Sequence, residues 1–597
     1  MRCFARSLPF GAEMARDGKV RFRTWAPDHD ALSVKIGHDR PLSLQKAADG
    51  WFEGVLPCPP GATYRYVLPD GSELADPAAR AHAGGVSGPS IVVDPCAYQW
   101  RHSEWIGRPW SDAAVYELHV GAFGGFNGLR ERLPELAALG ITAIELMPIA
   151  QFPGSRNWGY DGVLPFAPAA CYGSPDELKA MIDTAHGLGL MVLLDVVYNH
   201  FGPDGNVMPR LASAFFRDDL DTPWGPAIDF RRPQVREYFI GNALYWLMEY
   251  RFDGLRIDAA HAITERDWLV EMARTVRKEA EPGRHVHLVL ENEHNDAGLL
   301  QEGFDAQWND DAHHVLHVLL TGEADAYYAD YAADPTDGLA KWLGEGFVYQ
   351  GQPCGYRDGA PRGQPSSHLP TTAFVNCLQN HDQIGNRALG ERLSTFGDPD
   401  ALRAATALLL LVPQVPMLFM GEEWNSRRPF LYFTDHHGEL AEAVREGRRR
   451  EFSKFPAFRD PERRERIPDP NALETFTDSI PDFECVQAPP GSTHRDWIRE
   501  LLALRHHALT HRLPGTRALG AQVLGPGAVV ARWRMGDGAV LTILVNLGTE
   551  VVTDPAPASD QLLFETPTGA FDVLGEGRLV SGSMLALLAP SADGDTR

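Results

Sequence analysis

Apolar and polar positions along the chain follow two periods, and the change between them divides it. Residues 1 to about 100 carry short alternating runs at 20–27 (VRFRTWAP), 31–37 (ALSVKIG), 51–57 (WFEGVLP) and 63–69 (TYRYVLP). Gly, Pro and Asp punctuate them at 27–30, 48–50, 57–61 and 69–72. Short strands with turn residues at this spacing predict a β-sandwich of immunoglobulin-like type. Trp25, Trp51 and Tyr66 fit its core, with a sugar-stacking platform as the functional alternative.

From about 112 the pattern changes. Strand-like apolar runs at 114–123, 142–149, 190–198, 253–260, 286–293, 304–308, 373–380 and 415–423 alternate with helical segments such as 129–139, 174–188 and 233–250. That alternation predicts a parallel sheet, and eight runs predict closure into a (β/α)8 TIM barrel. Ser174 ahead of Asp176 and Glu177, and Pro233, are helix starts. Residues 424 to about 490 are rich in charge and proline and predict a long loop excursion near the barrel mouth. A helix over 494–509 closes the barrel. Runs at 528–535, 539–548, 561–567 and 583–590 then return to strand spacing. The fold class predicted is α/β: a barrel over 101–512 flanked by an N-terminal β-sandwich over 1–100 and a C-terminal β-sandwich over 513–597.

Composition changes this picture little. The 597 residues suffice for several domains, and 44% hydrophobic content supports large cores. A net charge of −25 argues against nucleic acid or an anionic membrane as partner, since either needs a basic face. No apolar run reaches the roughly 18 residues of a membrane span, and the first residues lack the apolar core of a signal peptide. The seven cysteines are scattered, with no C-x-x-C pair, so neither a zinc ribbon nor a disulfide framework is expected and a reducing cytoplasm fits.

The candidate chemistry lies in RFDGLRIDAAH at 251–261. Strand alternation points Arg256 and Asp258 to one face. An arginine there keeps a carboxylate ionised, as a covalent nucleophile requires; the same pattern also suits a structural ion pair. Barrel enzymes place their chemistry at the C-terminal strand ends. Those ends carry Asp195, Asn199 and His200; Arg256 and Asp258; Glu291 and Glu293; and Asn380, His381 and Asp382. Two carboxylates, one proton donor and one nucleophile, are the minimum for glycoside hydrolysis. A third can stabilise positive charge on the sugar ring. Spacing alone does not choose between Glu291 and Glu293. Asp195 and His119 read as structural.

DVVYNH (195–200), GLRIDAAH (254–261), LVLENE (288–293) and NHD (380–382) resemble, in order, the four signature regions of the α-amylase family of glycoside hydrolases. RFRTWAP resembles the leading β-domain of many members. The resemblance spans the chain. It implies Asp258 as nucleophile, Glu291 rather than Glu293 as acid/base, Asp382 as transition-state stabiliser and Arg256 as the nucleophile's partner. It also implies sugar contacts from His200, His381 and the stacking Tyr160. Asn199 matches a calcium-adjacent position of plain α-amylases, but no acidic loop of calcium-ligand spacing is present, so neither metal nor cofactor is expected.

Where plain α-amylases often carry Lys-His, this chain has His261 and Ala262. NHDQIGNR (380–387), LVLENEHND (288–296) and AQWNDDAHHVLH (306–317) resemble the branch of the family acting on trehalose-terminated glucans. That likeness implies cleavage of the α-1,4 bond next to the terminal trehalose of maltooligosyltrehalose, releasing trehalose and a maltooligosaccharide. It implies related α-glucans as substrates and a maltooligosyltrehalose synthase as pathway partner. It also implies substrate contacts from Asp311, His313 and His314, and from the span that includes His381, Gln383 and Asn386. Trp158, Trp224 and Trp308 are candidates for sugar stacking. A glycogen branching or debranching enzyme is the alternative with the same barrel and acids. A glycan-binding protein that lost its chemistry is the rival outside enzymes, and the intact acid set argues against it.

Overall fold

The computed structural model describes residues 2–591 apart from 16, 223–224, 454, 456–457 and 556–559. Trp224 therefore lies outside the described residues.

Eight parallel strands close into a barrel. They are β1 (Val115–Leu118), β2 (Ala143–Leu146), β3 (Met191–Val196), β4 (Gly254–Ile257), β5 (His287–Leu290), β6 (Ala306–Trp308), β7 (Phe374–Cys377) and β8 (Val415–Phe419). The run predicted at 304–308 is the shortest of them. These strands are buried on both faces, which is why each reads as a near-continuous apolar run. Helices α1 (Gly125–Leu139), α2 (Pro175–Gly187), α3 (Pro233–Leu244), α4 (Arg266–Glu279), α5 (Asp310–Thr321), α6 (Pro335–Glu345) and α7 (Pro399–Leu411) surround it. The start of α2 is a capping box, Ser174 accepting from the Glu177 N–H while the Glu177 side chain accepts from the Ser174 N–H. Pro233 opens α3.

The stretch expected to be a loop excursion contains α8 (Gly438–Phe452). Its charge density is what supports a helix: Arg445 meets Glu442, Arg449 meets Glu446 and Arg448 meets Glu451, each three residues away. Helix α9 (Gly491–Leu504) then packs back on the barrel.

The N-terminal domain is two facing antiparallel sheets, one built on Lys19–Trp25 and Trp51–Pro57, the other on Ser33–Ile36 and Thr63–Val67. Val20, Phe22, Phe52, Tyr64 and Tyr66 fill the space between them. Tyr66 is fully buried, and Trp25 and Trp51 nearly so, so core packing is their role. The C-terminal domain is a five-stranded antiparallel sheet with a two-stranded ribbon. One face, with Trp533, Leu541 and Ile543, joins the barrel's core. The other, with Val530, Leu544 and Leu585, is covered by Val552, Leu574 and Leu579.

The cysteine reading needs one correction. Cys3 and Cys96 form a disulfide across 93 residues. The N-terminal segment returns alongside residue 100, where Arg2 pairs with Trp100, and no spacing rule reveals such a neighbour. No helix among the described residues is long and apolar enough to cross a membrane.

Candidate active site

Register builds the site. Asp195 on β3 lies beside Arg256 on β4, and Glu117 on β1 beside Glu145 on β2. All four are buried, so a layer of ionisable groups floors the mouth. Arg256 is its hub. Its Nη1 donates to Asp195 Oδ2 at 2.8 Å and to Asp258 Oδ1 at 2.7 Å, and its Nη2 lies 3.6 Å from Glu291 Oε2. The guanidinium sits 4.3 Å over the Trp308 ring, which places Trp308 beneath the site as a cation–π support. Burial opposes its charge, but Asp195, Tyr160 and Asp258 outweigh it and keep it a cation.

Asp258 follows β4 and has 9% of its surface exposed. Its other oxygen accepts from Asn199 Nδ2 at 2.8 Å. Ala259 then takes a left-handed conformation, φ 39°, which a residue with a Cβ adopts only at a cost of order 1–3 kcal/mol. That turn aims the Ala259 N–H at Glu291 Oε2. Burial pushes the Glu291 carboxyl up to about 8, since Asp258, Asp310 and Asp382 reinforce it against Arg256. An acid at neutral pH and an arginine-bound carboxylate thus share one mouth. Glu293 does not join them. β5 ends at Leu290, so strand alternation stops short, and Glu293 pairs with Arg357.

His381 and Tyr160 form a second unit. The Tyr160 hydroxyl donates to Asp195 Oδ2 at 2.7 Å and lies 2.7 Å from His381 Nε2. The two rings stack at 5.2 Å. His381 Nδ1 bonds Glu117. Burial works against a charged imidazole here, yet Asp382 and Glu117 push it up to about 9. Asp382 Oδ2 lies 3.4 Å from His381 Nε2, with 40% of the side chain exposed. Asn386 Nδ2 donates to Asp382 Oδ1 at 3.3 Å. Gln383 is half-buried, and its N–H caps on Asn380. His200 bonds Asn199 and reaches the Tyr160 carbonyl at 3.0 Å. Burial also pushes Asp195 up to about 7.

Three predicted contacts are buried among side chains of the protein itself. Asp311 is fully buried. It accepts from Asn295 Nδ2 at 2.9 Å, the Val348 and Tyr349 N–H groups at 2.7 and 2.9 Å, and the Tyr331 hydroxyl. Arg362 completes the set at 3.2 Å. His313 is 2% exposed, tied to the Leu378 carbonyl and the Tyr328 hydroxyl. His314 is 8% exposed, among the rings of Tyr327, Tyr328 and Tyr331. Burial holds both imidazoles well below the usual histidine range. Trp158 is core, stacked on Phe430 and donating to the Leu431 carbonyl at 2.9 Å. His119 is likewise buried and bonded to the Asn157 carbonyl.

Sequence reasoning missed Glu117, Glu145 and Asp310. Both Glu145 oxygens are buried without a hydrogen bond among the described residues, and burial, with Glu117 beside it, raises the carboxyl well above the usual range. An acid inside an apolar strand, as in YEL and IEL, was the available signal. Asp310, one residue before Asp311, feels Asp382 across the mouth, and burial pushes it up to about 7. Adjacent helix positions point about 100° apart, which separates Asp310 from its buried neighbour.

A parallel barrel with carboxylates gathered by one arginine at its C-terminal mouth defines an α-amylase-type glycosidase scaffold. Residues 101–219 match the family described as "Alpha amylase, catalytic domain", and residues 516–589 match a domain of unknown function, DUF3459. The chain is 38% identical to the malto-oligosyltrehalose trehalohydrolase of Deinococcus radiodurans, over 97% of this chain and 96% of that one. It is 35% identical to the Mycobacterium tuberculosis enzyme of the same name, over 92% and 96%. The chain belongs to the malto-oligosyltrehalose trehalohydrolase family. A crystal structure titled as a putative alpha amylase from Salmonella typhimurium superposes with a TM-score of 0.91 at 42% identity, covering 98% of this chain and all of that one. A branching enzyme from Corynebacterium jeikeium is 32% identical, over only 42% of this chain and 40% of its own.

Proposed function

We propose that this protein is a retaining glycoside hydrolase that cuts the α-1,4 bond next to the terminal trehalose of maltooligosyltrehalose. The observation that carries the chemistry is Arg256, with Asp258 at 2.7 Å from Nη1 and Glu291 at 3.6 Å from Nη2. Asp258, hydrogen-bonded by Arg256 and Asn199, attacks the anomeric carbon. Glu291 gives its proton to the glycosidic oxygen as that bond breaks, and trehalose leaves. A glycosyl ester on Asp258 remains. Water then attacks the same carbon, Glu291 takes the water's proton, and the maltooligosaccharide departs with the α configuration. Asp382 and the Tyr160–His381 pair are proposed to stabilise the positive charge that develops on the ring. His200, Gln383 and Asn386 border the mouth and are proposed as sugar contacts. Family membership supports trehalose over glucan transfer, and a synthase that makes the substrate is the proposed pathway partner.

The test is product analysis with maltotriosyltrehalose. Trehalose and maltotriose in equal amounts, with slower attack on amylose, are expected. Branched or lengthened glucans, or no trehalose, would replace this reading with a branching or debranching enzyme.

A further inference from the structure

Glu117 sits inside β1, 1% exposed, behind the residues assigned to the reaction. Its Oε2 accepts the His381 N–H at 3.1 Å, and its Oε1 meets His381 Nδ1. One side chain thus ties down both the backbone at the start of the His381–Gly385 turn and the ring it carries. Glu145 lies beside it in register on β2, yet both Glu145 oxygens lack a hydrogen bond among the described residues. Of the two adjoining acids, Glu117 is the one joined to His381.

The hydrogen bonds around His381 have a direction. The Tyr160 hydroxyl carries one proton and gives it to Asp195 Oδ2 at 2.7 Å. Toward His381 Nε2, 2.7 Å away, that oxygen can only accept. Nε2 therefore donates. Nδ1, facing a Glu117 oxygen, donates as well. An imidazole that donates from both nitrogens is a cation. The groups that face it are His119 beyond the end of β1, Glu117, Glu145, Asp195, Arg256 and Asp382. Burial and Arg256 oppose its charge, while Asp382 and Glu117 favour it. Asp382 is 3.4 Å from Nε2 with 40% of its side chain exposed, so water screens it. Glu117 is 1% exposed on the Nδ1 side, where little screens it. With no acid at position 117, a buried imidazole gives up its second proton. Nε2 then becomes an acceptor and competes with Asp195 for the single Tyr160 proton. Asp195 shares Arg256 Nη1 with Asp258, so the change reaches the arginine beside the proposed nucleophile.

We propose that Glu117 is a positioning residue: it keeps His381 doubly protonated and so keeps the Tyr160 proton on Asp195, next to the arginine that holds Asp258. Its effect on rate rests on the glycosidase reading above; the proton itself does not.

Two measurements on the full chain test it. The first is nitrogen NMR with isotopically labelled histidine at about pH 8, where an ordinary imidazole has lost its second proton. Wild type should show a doubly protonated imidazole that Glu117→Gln lacks. Tyr160→Phe, which leaves Glu117 in place, should keep it, and decides the matter if Glu117→Gln fails to fold. The second is the pH profile of kcat/KM. Glu117→Gln should lower kcat about 10- to 100-fold with little change in KM. Its basic limb should move from about 8, where Glu291 sets it, toward the ordinary histidine value of 6.5. Glu117→Asp should restore the position of that limb. A loss of equal size at every pH in Glu117→Gln would leave Glu117 a structural residue and overturn the proposal. So would a wild type without the doubly protonated imidazole, or its loss in Tyr160→Phe. A wild type that releases no trehalose, with the spectra as expected, would remove the trehalose reading and leave Glu117 in its role.

Discussion

Asp258 and Asp311 are both buried carboxylates near the C-terminal rim of the barrel, and each meets an arginine. They differ in what remains open. Asp311 is wholly enclosed, with hydrogen-bond donors from four groups and Arg362 around it. Among the described residues, the Asp258 side chain bonds only Arg256 and Asn199, and it keeps a face on the mouth. A carboxylate saturated by its own protein is architecture, because a substrate has no lone pair left to use. A carboxylate paired with an arginine yet partly open is equipped to react. The contrast separates chemistry from support where residue type and position do not.

The sharpest way to break it is Asp258→Asn. Losing the nucleophile should lower kcat by about three orders of magnitude or more while substrate still binds. Retention of more than about a tenth of wild-type activity would remove the assignment.

Glu291→Gln comes next, with an expected loss of about 10²–10⁴ in kcat on natural substrates. Because burial raises this acid to about 8, the wild-type form that can donate a proton prevails below that pH and is lost above it. Wild-type kcat/KM should therefore fall as pH rises past about 8, and the variant should lack that limb. A good leaving group, which needs no proton, should restore the variant's first step. If Glu293→Gln behaves this way instead, the two roles are exchanged.

Asp311→Ala should act on stability. It strands Arg362 and several buried donors, so a loss of about 3–5 kcal/mol in chemical unfolding is expected. Where the variant remains folded, its kcat/KM on maltooligosyltrehalose and on plain maltooligosaccharides should change in proportion. A loss confined to the trehalose-bearing substrate would return Asp311 to substrate recognition.

The barrel was legible because its strands are buried on both faces and read as eight apolar runs. The principal acids were legible because a barrel puts chemistry at strand ends, and Asp258, Glu291 and Asp382 stand there. What was hidden depends on chain segments distant in sequence. Val348 and Tyr349 close over Asp311 from 37 and 38 residues away, so spacing around AQWNDDAHH could not show that its acid was occupied. Cys3 and Cys96 meet for the same reason. Residues 438–452 misread as loop because charge was taken for exposure alone, when its three-residue spacing also favours a helix. Glu117 and Glu145 were overlooked inside strands whose apolar neighbours dominate the pattern.

The most direct measurement of the central claim is the configuration of the sugar end first formed. In NMR spectra taken during rapid hydrolysis of maltotriosyltrehalose, the new reducing end of maltotriose should appear as the α-anomer before mutarotation. That outcome requires two inversions at one carbon, the first by Asp258. The β-anomer appearing first would mean direct attack by water and would contradict Asp258 as a nucleophile.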